Sequence, residues 1–177
     1  MTLVADTWGS NLNPVPKTFK MAQVLTATPS VSGTAVTATA NFFTKNCPFN
    51  VEVVGVKAVA QVLTPAHFNG AGGAVSVIVQ RSDEVDTSPA TPATAGWDTL
   101  VSSVSCKDKS TDEQCFDAPG DGTNTLDQTY VSIPKGGSLR ATLSAQVENT
   151  YVGSGSTVTI LVIVECRPTN LHEQRYF

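Results

Sequence analysis

Apolar and polar positions alternate with a period of two along most of the chain. Between residues 138 and 148, Leu139, Ala141, Leu143, Ala145 and Val147 share one parity. Ser138, Arg140, Thr142, Ser144, Gln146 and Glu148 take the other. Successive side chains of a strand point to opposite faces, so this segment predicts a strand with one face on a core and one in water. A helix would scatter the same apolar residues around its circumference. In residues 33–44, Val36, Ala38, Ala40 and Phe42 alternate with Thr37, Thr39 and Asn41, and Val75, Val77 and Val79 share a face in residues 74–80. Residues 157–166 are apolar on both parities in their middle, from Ile160 to Val164, which predicts a central strand covered on both faces. Over residues 50–64 the apolar parity switches beside Gly55. It runs through Val51 and Val53, then through Val54, Val56, Ala58, Ala60 and Val62. Such a switch predicts a β-bulge or a bend between sheets.

Residues 21–28, 97–105 and 128–133 complete a set of about eight strands, by the same pattern. Turn formers separate them at residues 29–33, 65–73, 134–137 and 153–155. No segment of ten or more residues carries helical periodicity. The expectation is an all-β fold: an antiparallel double-sheet β-sandwich, jelly-roll-like, over residues 21–168. Two long stretches, 82–96 and 107–127, read as loops. Residues 1–20 form an extended N-terminal arm, with Pro14 and Pro16 favouring a polyproline-like path, and residues 169–177 form a C-terminal tail. Aromatics on such extensions are ordered best by docking on a neighbour. Trp8, Pro14, Pro16 and Phe19 of the arm, and Leu171, Arg175, Tyr176 and Phe177 of the tail, are therefore the candidate partner contacts.

Composition narrows the function classes. Val and Thr each occur 23 times, which fits pleated, half-buried surfaces. Hydrophobic residues make up 41% and charged residues 15%, too apolar a balance for intrinsic disorder. A net charge of −4 and a pI near 5.0 argue against nucleic acid, whose phosphates require clustered Lys and Arg. No apolar run reaches the roughly 18 residues of a membrane helix. The first ten residues lack a basic region, an apolar core and a cleavage site, so synthesis in a reducing cytoplasm is expected.

Chemistry is sparse. His67 and His172 are the two histidines, too few for a multi-histidine metal centre, and no Gly-x-Ser-x-Gly elbow accompanies them. Glu52, Glu148 and Glu165 are the glutamates within expected strands and fall at solvent parity or near strand ends, which does not make a paired-carboxylate cleft. Asp117, Asp121, Asn124 and Asp127 could offer oxygen ligands to a hard cation, but they miss the EF-hand spacing, and Asp and Asn beside Gly also serve plain turns. The reading is a non-enzyme with no cofactor and no metal. Of the four cysteines, Cys106 and Cys115 bracket a polar segment and are the candidate disulfide. Cys47 and Cys166 read as small apolar fillers.

The order of segments resembles a family of small jelly-roll virion proteins of tailed bacteriophages, the head decoration or cement proteins. Residues 47–56 (CPFNVEVVGV), 74–80 (AVSVIVQ), 131–143 (VSIPKGGSLRATL) and 157–165 (TVTILVIVE) carry the likeness, which spans residues 40–168. The resemblance implies a homotrimeric knob on the capsid exterior that binds the major capsid protein and bridges neighbouring shell subunits through its arms. The alternative is a tail- or fibre-associated module that recognises a receptor or glycan through its loops, with Trp97 as the sugar-stacking residue.

Overall fold

The computed structural model describes residues 18–31, 33–43, 46–83, 96–151 and 156–169. Nine strands follow in order: β1 (Phe19–Ala27), β2 (Val36–Asn41), β3 (Val51–Val62), β4 (Ala74–Ser82), β5 (Asp98–Ser105), β6 (Gln114–Ala118), β7 (Ser132–Ile133), β8 (Ser138–Gln146) and β9 (Val158–Pro168). Helical structure is confined, among the described residues, to two 3-10 turns at Pro65–His67 and Asn149–Tyr151. The strands form two antiparallel sheets. One runs β1-β9-β3-β6, with the short β7 also paired to β3; the other runs β2-β8-β4-β5. Apart from β7, the chain crosses between the sheets at every connection except that from β4 to β5. That is the eight-strand jelly-roll arrangement of two interlocked Greek keys.

Alternation places the core. On β8 the buried residues are Leu139, Ala141, Leu143 and Ala145, and on β9 Val158, Ile160, Val162, Val164 and Cys166. Leu25 of β1 and Val53, Val56 and Ala58 of β3 extend the β9 layer of the core, and Val75, Val77 and Val79 of β4 extend the β8 layer, while Phe68 and Phe116 are buried between them. Alanines at positions 58, 60, 141 and 145 sit among the larger side chains, so the two inner faces can interdigitate at interior density. The turn into β8 depends on glycine. Gly137 donates its N–H to the Pro134 carbonyl at 2.9 Å, and Gly136 takes the left-handed φ of 92° that position three of a type II turn demands.

Four expectations are refined by the fold. The parity switch near Gly55 is a register shift between Val53 and Gly55, which returns Val56, Ala58 and Ala60 to the core; a second shift follows between Ala60 and Val62. Part of the stretch 107–127, read as loop, is strand β6. It spans five residues, and the register shift between Ala58 and Val59 breaks its alternation, so period-two reading passes over it. The stretch 128–133 contributes only the two residues of β7. Finally, β9 is central, flanked by β1 and β3, but no strand of the described residues forms a layer over its second face. Thr159, Leu161, Ile163, Glu165 and Arg167 take the parity opposite to the core residues of β9 and are half-buried.

Candidate interaction surface

The register of the β1-β9-β3-β6 sheet lines up its outward side chains in rows. Val24, Leu161, Val59 and Gln114 form one row; Ala22, Ile163, Lys57 and Asp117 the next; Thr26, Thr159 and Val62 a third. The centre of this face is aliphatic. Val24 is 59% exposed and Val62 47%, two of the three large hydrophobic side chains most open to solvent among the described residues. Polar groups frame it. Lys20 pairs with Glu165 at 3.6 Å, and Thr18 Oγ1 donates to the same carboxylate at 2.6 Å. Lys57 lies 4.0 Å from Asp117. The Arg167 guanidinium donates to both oxygens of Glu52, at 2.9 Å and 3.0 Å. Hydroxyls of Thr26 and Thr159 meet at 3.1 Å, and those of Thr28 and Thr157 at 3.3 Å. Lys20, Lys57 and Arg167 balance Glu52, Asp117 and Glu165, so the face is neutral although the chain carries −4. An apolar centre within a paired polar rim is the anatomy of a protein-contact surface.

The outer face of the other sheet differs. Thr37, Thr39, Thr142, Ser144 and Ser76 line it, with Thr39 and Thr142 sharing a hydrogen bond at 3.0 Å. At its far end Arg140 donates twice to Gln80 Oε1, at 2.8 Å and 3.1 Å, and stacks its guanidinium 3.8 Å from the centre of the Trp97 ring. That stacking occupies one face of the Trp97 ring. Beside it, Arg81 is nearly buried. Its guanidinium reaches Asp83, Asp98 and the Ser132 carbonyl and lies 5.2 Å from the Tyr130 ring centre, which ties the 126–134 segment to the β4 end.

The residues singled out in the sequence fall into separate places. Trp8, Pro14, Pro16, Leu171, Arg175, Tyr176 and Phe177 lie outside the described residues, as does His172. Phe19, read as part of the arm, is the first residue of β1, pairs with Cys166, and sets its ring edge-on to Phe49 at 6.0 Å. The sheet thus takes up two residues before the boundary at 21. The same register places the start of β1 beside the end of β9, so the two ends of the described chain lie at one end of the sandwich.

Asp117, Asp121 and Asp127 do not converge. Asp121 accepts from the N–H groups of Asp117, Thr123 and Asn124 and from Asn124 Nδ2, at 2.8–3.1 Å, and these donors hold its carboxyl well below the usual carboxylate range. Asp117 turns to Lys57, and Asp127 caps the Thr129 N–H at 2.9 Å. No group of three or more His, Cys, Asp or Glu is placed to hold a metal among the described residues. His67 is half-buried. Its Nδ1 meets Ser156 Oγ at 2.7 Å and its ring lies 4.3 Å from that of Tyr151, an arrangement that ties the Pro65–His67 turn to the approach of β9. The Ser156 hydroxyl is itself buried. Cys106 and Cys115 are free thiols, both buried, with their side chains in hydrogen-bond contact.

Sequence reading did not single out the aliphatic face. Its signal was present as the doubly apolar run at 160–164 and as Val24, off the core parity of β1; Val62 shares the parity of Val56, Ala58 and Ala60 and is turned outward by the register shift after Ala60.

The fold defines a class, the eight-strand jelly-roll sandwich. No known protein family matches the chain, and no curated protein does. Among solved structures, a chain of turnip yellow mosaic virus is similar at 14% identity over 88% of this chain and 96% of its own, with a TM-score of 0.31. Infectious bursal disease virus, Gx strain, matches at 9% identity and TM-score 0.31 over 92% of this chain. Its derived T=1 particles match at 13% and 0.28 over the same share. This chain covers 42% of the bursal disease virus chains. Scores this low carry nothing about function. Among the described residues, no helix is long and apolar enough to cross a membrane.

Proposed function

We propose that the chain is a structural virion protein that binds the outside of a phage capsid and stabilises the shell by bridging neighbouring capsid subunits. One observation carries this reading: the neutral, aliphatic outer face of the β1-β9-β3-β6 sheet, with the two ends of the described chain at one end of it. Four strands about 4.8 Å apart and some seven residues long offer roughly 400–500 Å² of sheet face. That is below the ~800 Å² per partner of a stable pair, so one such contact is weak. Repetition on a lattice, together with the 17 residues before Thr18 and the eight after Thr169, converts weak contacts into avidity. The extensions carry Trp8, Tyr176 and Phe177, the aromatic types that anchor interfaces. The acidic balance lies elsewhere on the surface and suits a particle exterior that must remain soluble. The partner in this reading is the major capsid protein, the site of action is the virion exterior, and the subunits group as trimers.

The test is stoichiometry. Particles containing the protein should hold it at a simple ratio to the main shell subunit, near one or one third. A handful of copies per particle would move the protein to the tail and favour receptor binding; absence from particles would remove the reading. Removal of residues 1–17, which precede the first strand, should weaken binding to shells while leaving the melting transition intact.

A further inference from the structure

We propose that Cys106 and Cys115 form an oxidisable dithiol that a hydroperoxide converts into a disulfide stapling the two sheets together. The two residues belong to opposite layers. Cys106 follows the last residue of β5 and donates its N–H to the Val75 carbonyl of β4 at 2.8 Å, which fixes it to one sheet. Cys115 lies in β6 of the other sheet, at the register shift where no residue of β3 opposes it. The connecting turn is clamped at both ends. Lys109 donates its N–H to the Cys106 carbonyl at 3.1 Å; Asp112 donates its N–H to the Ala60 carbonyl of β3 at 2.6 Å, and Ala60 donates its own to the Glu113 carbonyl at 2.9 Å. Glu113 accepts from the Ser110 N–H at 3.0 Å and from Lys109 Nζ at 3.2 Å. The Cys106 thiol has two acceptors in reach, the Val104 carbonyl at 3.7 Å and the Cys115 sulfur.

The roles within the pair follow from their surroundings. Cys115 is 8% exposed and Cys106 fully buried, so an oxidant meets Cys115 first. The Cys106 S–H and the Lys109 charge both favour the Cys115 thiolate, and its greater exposure makes it the nucleophile an oxidant reaches. Its attack on the peroxide O–O bond yields a sulfenic acid and releases one water, or one alcohol from an organic hydroperoxide. The Cys106 sulfur then attacks the sulfenic sulfur. The S–S bond forms, and the hydroxyl leaves as water with the Cys106 proton. In sum two thiols lose two protons and two electrons, and one hydroperoxide is reduced. Cys166 stands apart, because burial pushes its thiol up to about 12 and keeps it protonated.

The experiment treats the folded, full-length chain with stoichiometric hydrogen peroxide, then denatures, alkylates and digests with trypsin. Cleavage after Arg81, Lys107, Lys109 and Lys135 separates the two cysteines, so the disulfide joins the peptide of residues 82–107 to that of residues 110–135. The expected result is that linked pair, a loss of two hydrogens from the intact mass, and two alkylated thiols at Cys47 and Cys166. The melting midpoint should rise by roughly 4–10 °C and fall back on reduction. Four alkylatable thiols, sulfinic acid at Cys115 without a link, or links to Cys47 or Cys166 in equal yield would each overturn the proposal. In Cys106→Ala, trapping of the Cys115 sulfenic acid by a dimedone probe confirms the order of steps; its absence, with sulfenic acid at Cys106 in Cys115→Ala, overturns it. None of these outcomes depends on the particle reading.

Discussion

Replacing Val24 by Thr separates the contact role of the aliphatic face from its role in the fold. Val24 stands on the edge strand, in the row with Leu161 and Val59, and is 59% exposed. Complete burial of a valine side chain is worth about 1.5–3 kcal/mol, so covering the exposed part on docking contributes about 1–2 kcal/mol. Threonine has the same shape and stays β-branched, so strand preference is kept and the free protein should change by no more than about 0.5 kcal/mol. On docking, however, threonine forfeits the methyl contribution and brings an unpaired hydroxyl out of water at about 1–3 kcal/mol. Together these exceed about 2 kcal/mol, at least a roughly 30-fold weakening of a single contact. The assay adds purified protein to particles stripped of it and measures the bound fraction by sedimentation across a concentration series. Thr37→Val, on the hydroxyl-lined face of the opposite sheet, is the control and should bind as the parent does. Equal affinity of Val24→Thr and parent, or equal weakening by the two variants, would show that this face does not make the contact. A matching fall in melting temperature would assign the effect to the fold.

Three other perturbations probe the scaffold. Arg81→Met should cost about 1–3 kcal/mol in urea unfolding, because it leaves the Ser132 carbonyl without its donor and unties Asp98 from the β4 end; an unchanged midpoint would show that the cluster is solvated. Asp121 has a folded-state carboxyl held below its unfolded value of about 3.9, so its contribution is complete above that pH and is lost as the pH falls below it. Asp121→Asn should therefore lower stability at pH 6 and lessen the loss on moving to pH 3, which urea midpoints at the two pH values would reveal. Gly73→Ala would drive a Cβ into the Phe68 carbonyl, inside van der Waals distance, and should destabilise by about 1–3 kcal/mol in thermal unfolding. A neutral result there would mean that the 68–73 turn relaxes freely.

The sequence by itself determined what depends on short range. Alternation on residues 138–148 and 74–80 names both the strands and their inward residues, because a strand turns successive side chains to opposite faces whatever it pairs with. The bulge beside Gly55 is legible for the same reason, since an extra residue inverts parity locally. Strand β6 escaped because its own bulge erases that signal over five residues. Phe19 reads as arm because Pro14 and Pro16 precede it, yet pairing with Cys166 draws it into the sheet. Only the tertiary structure decided which sheet each strand joins, and with it every long-range juxtaposition. Leu161 and Ile163 look in sequence like the inside of a doubly covered strand. Whether a second layer exists over them is a property of the whole chain path, and the described strands supply a layer on one face only. The likeness of Cys106 and Cys115 to a disulfide pair is visible in their spacing, but their contact across two sheets exists because β5 and β6 lie in opposite layers, joined by a clamped turn. Local alternation is encoded residue by residue; which faces stay open is set by non-local pairing, which no window of sequence contains.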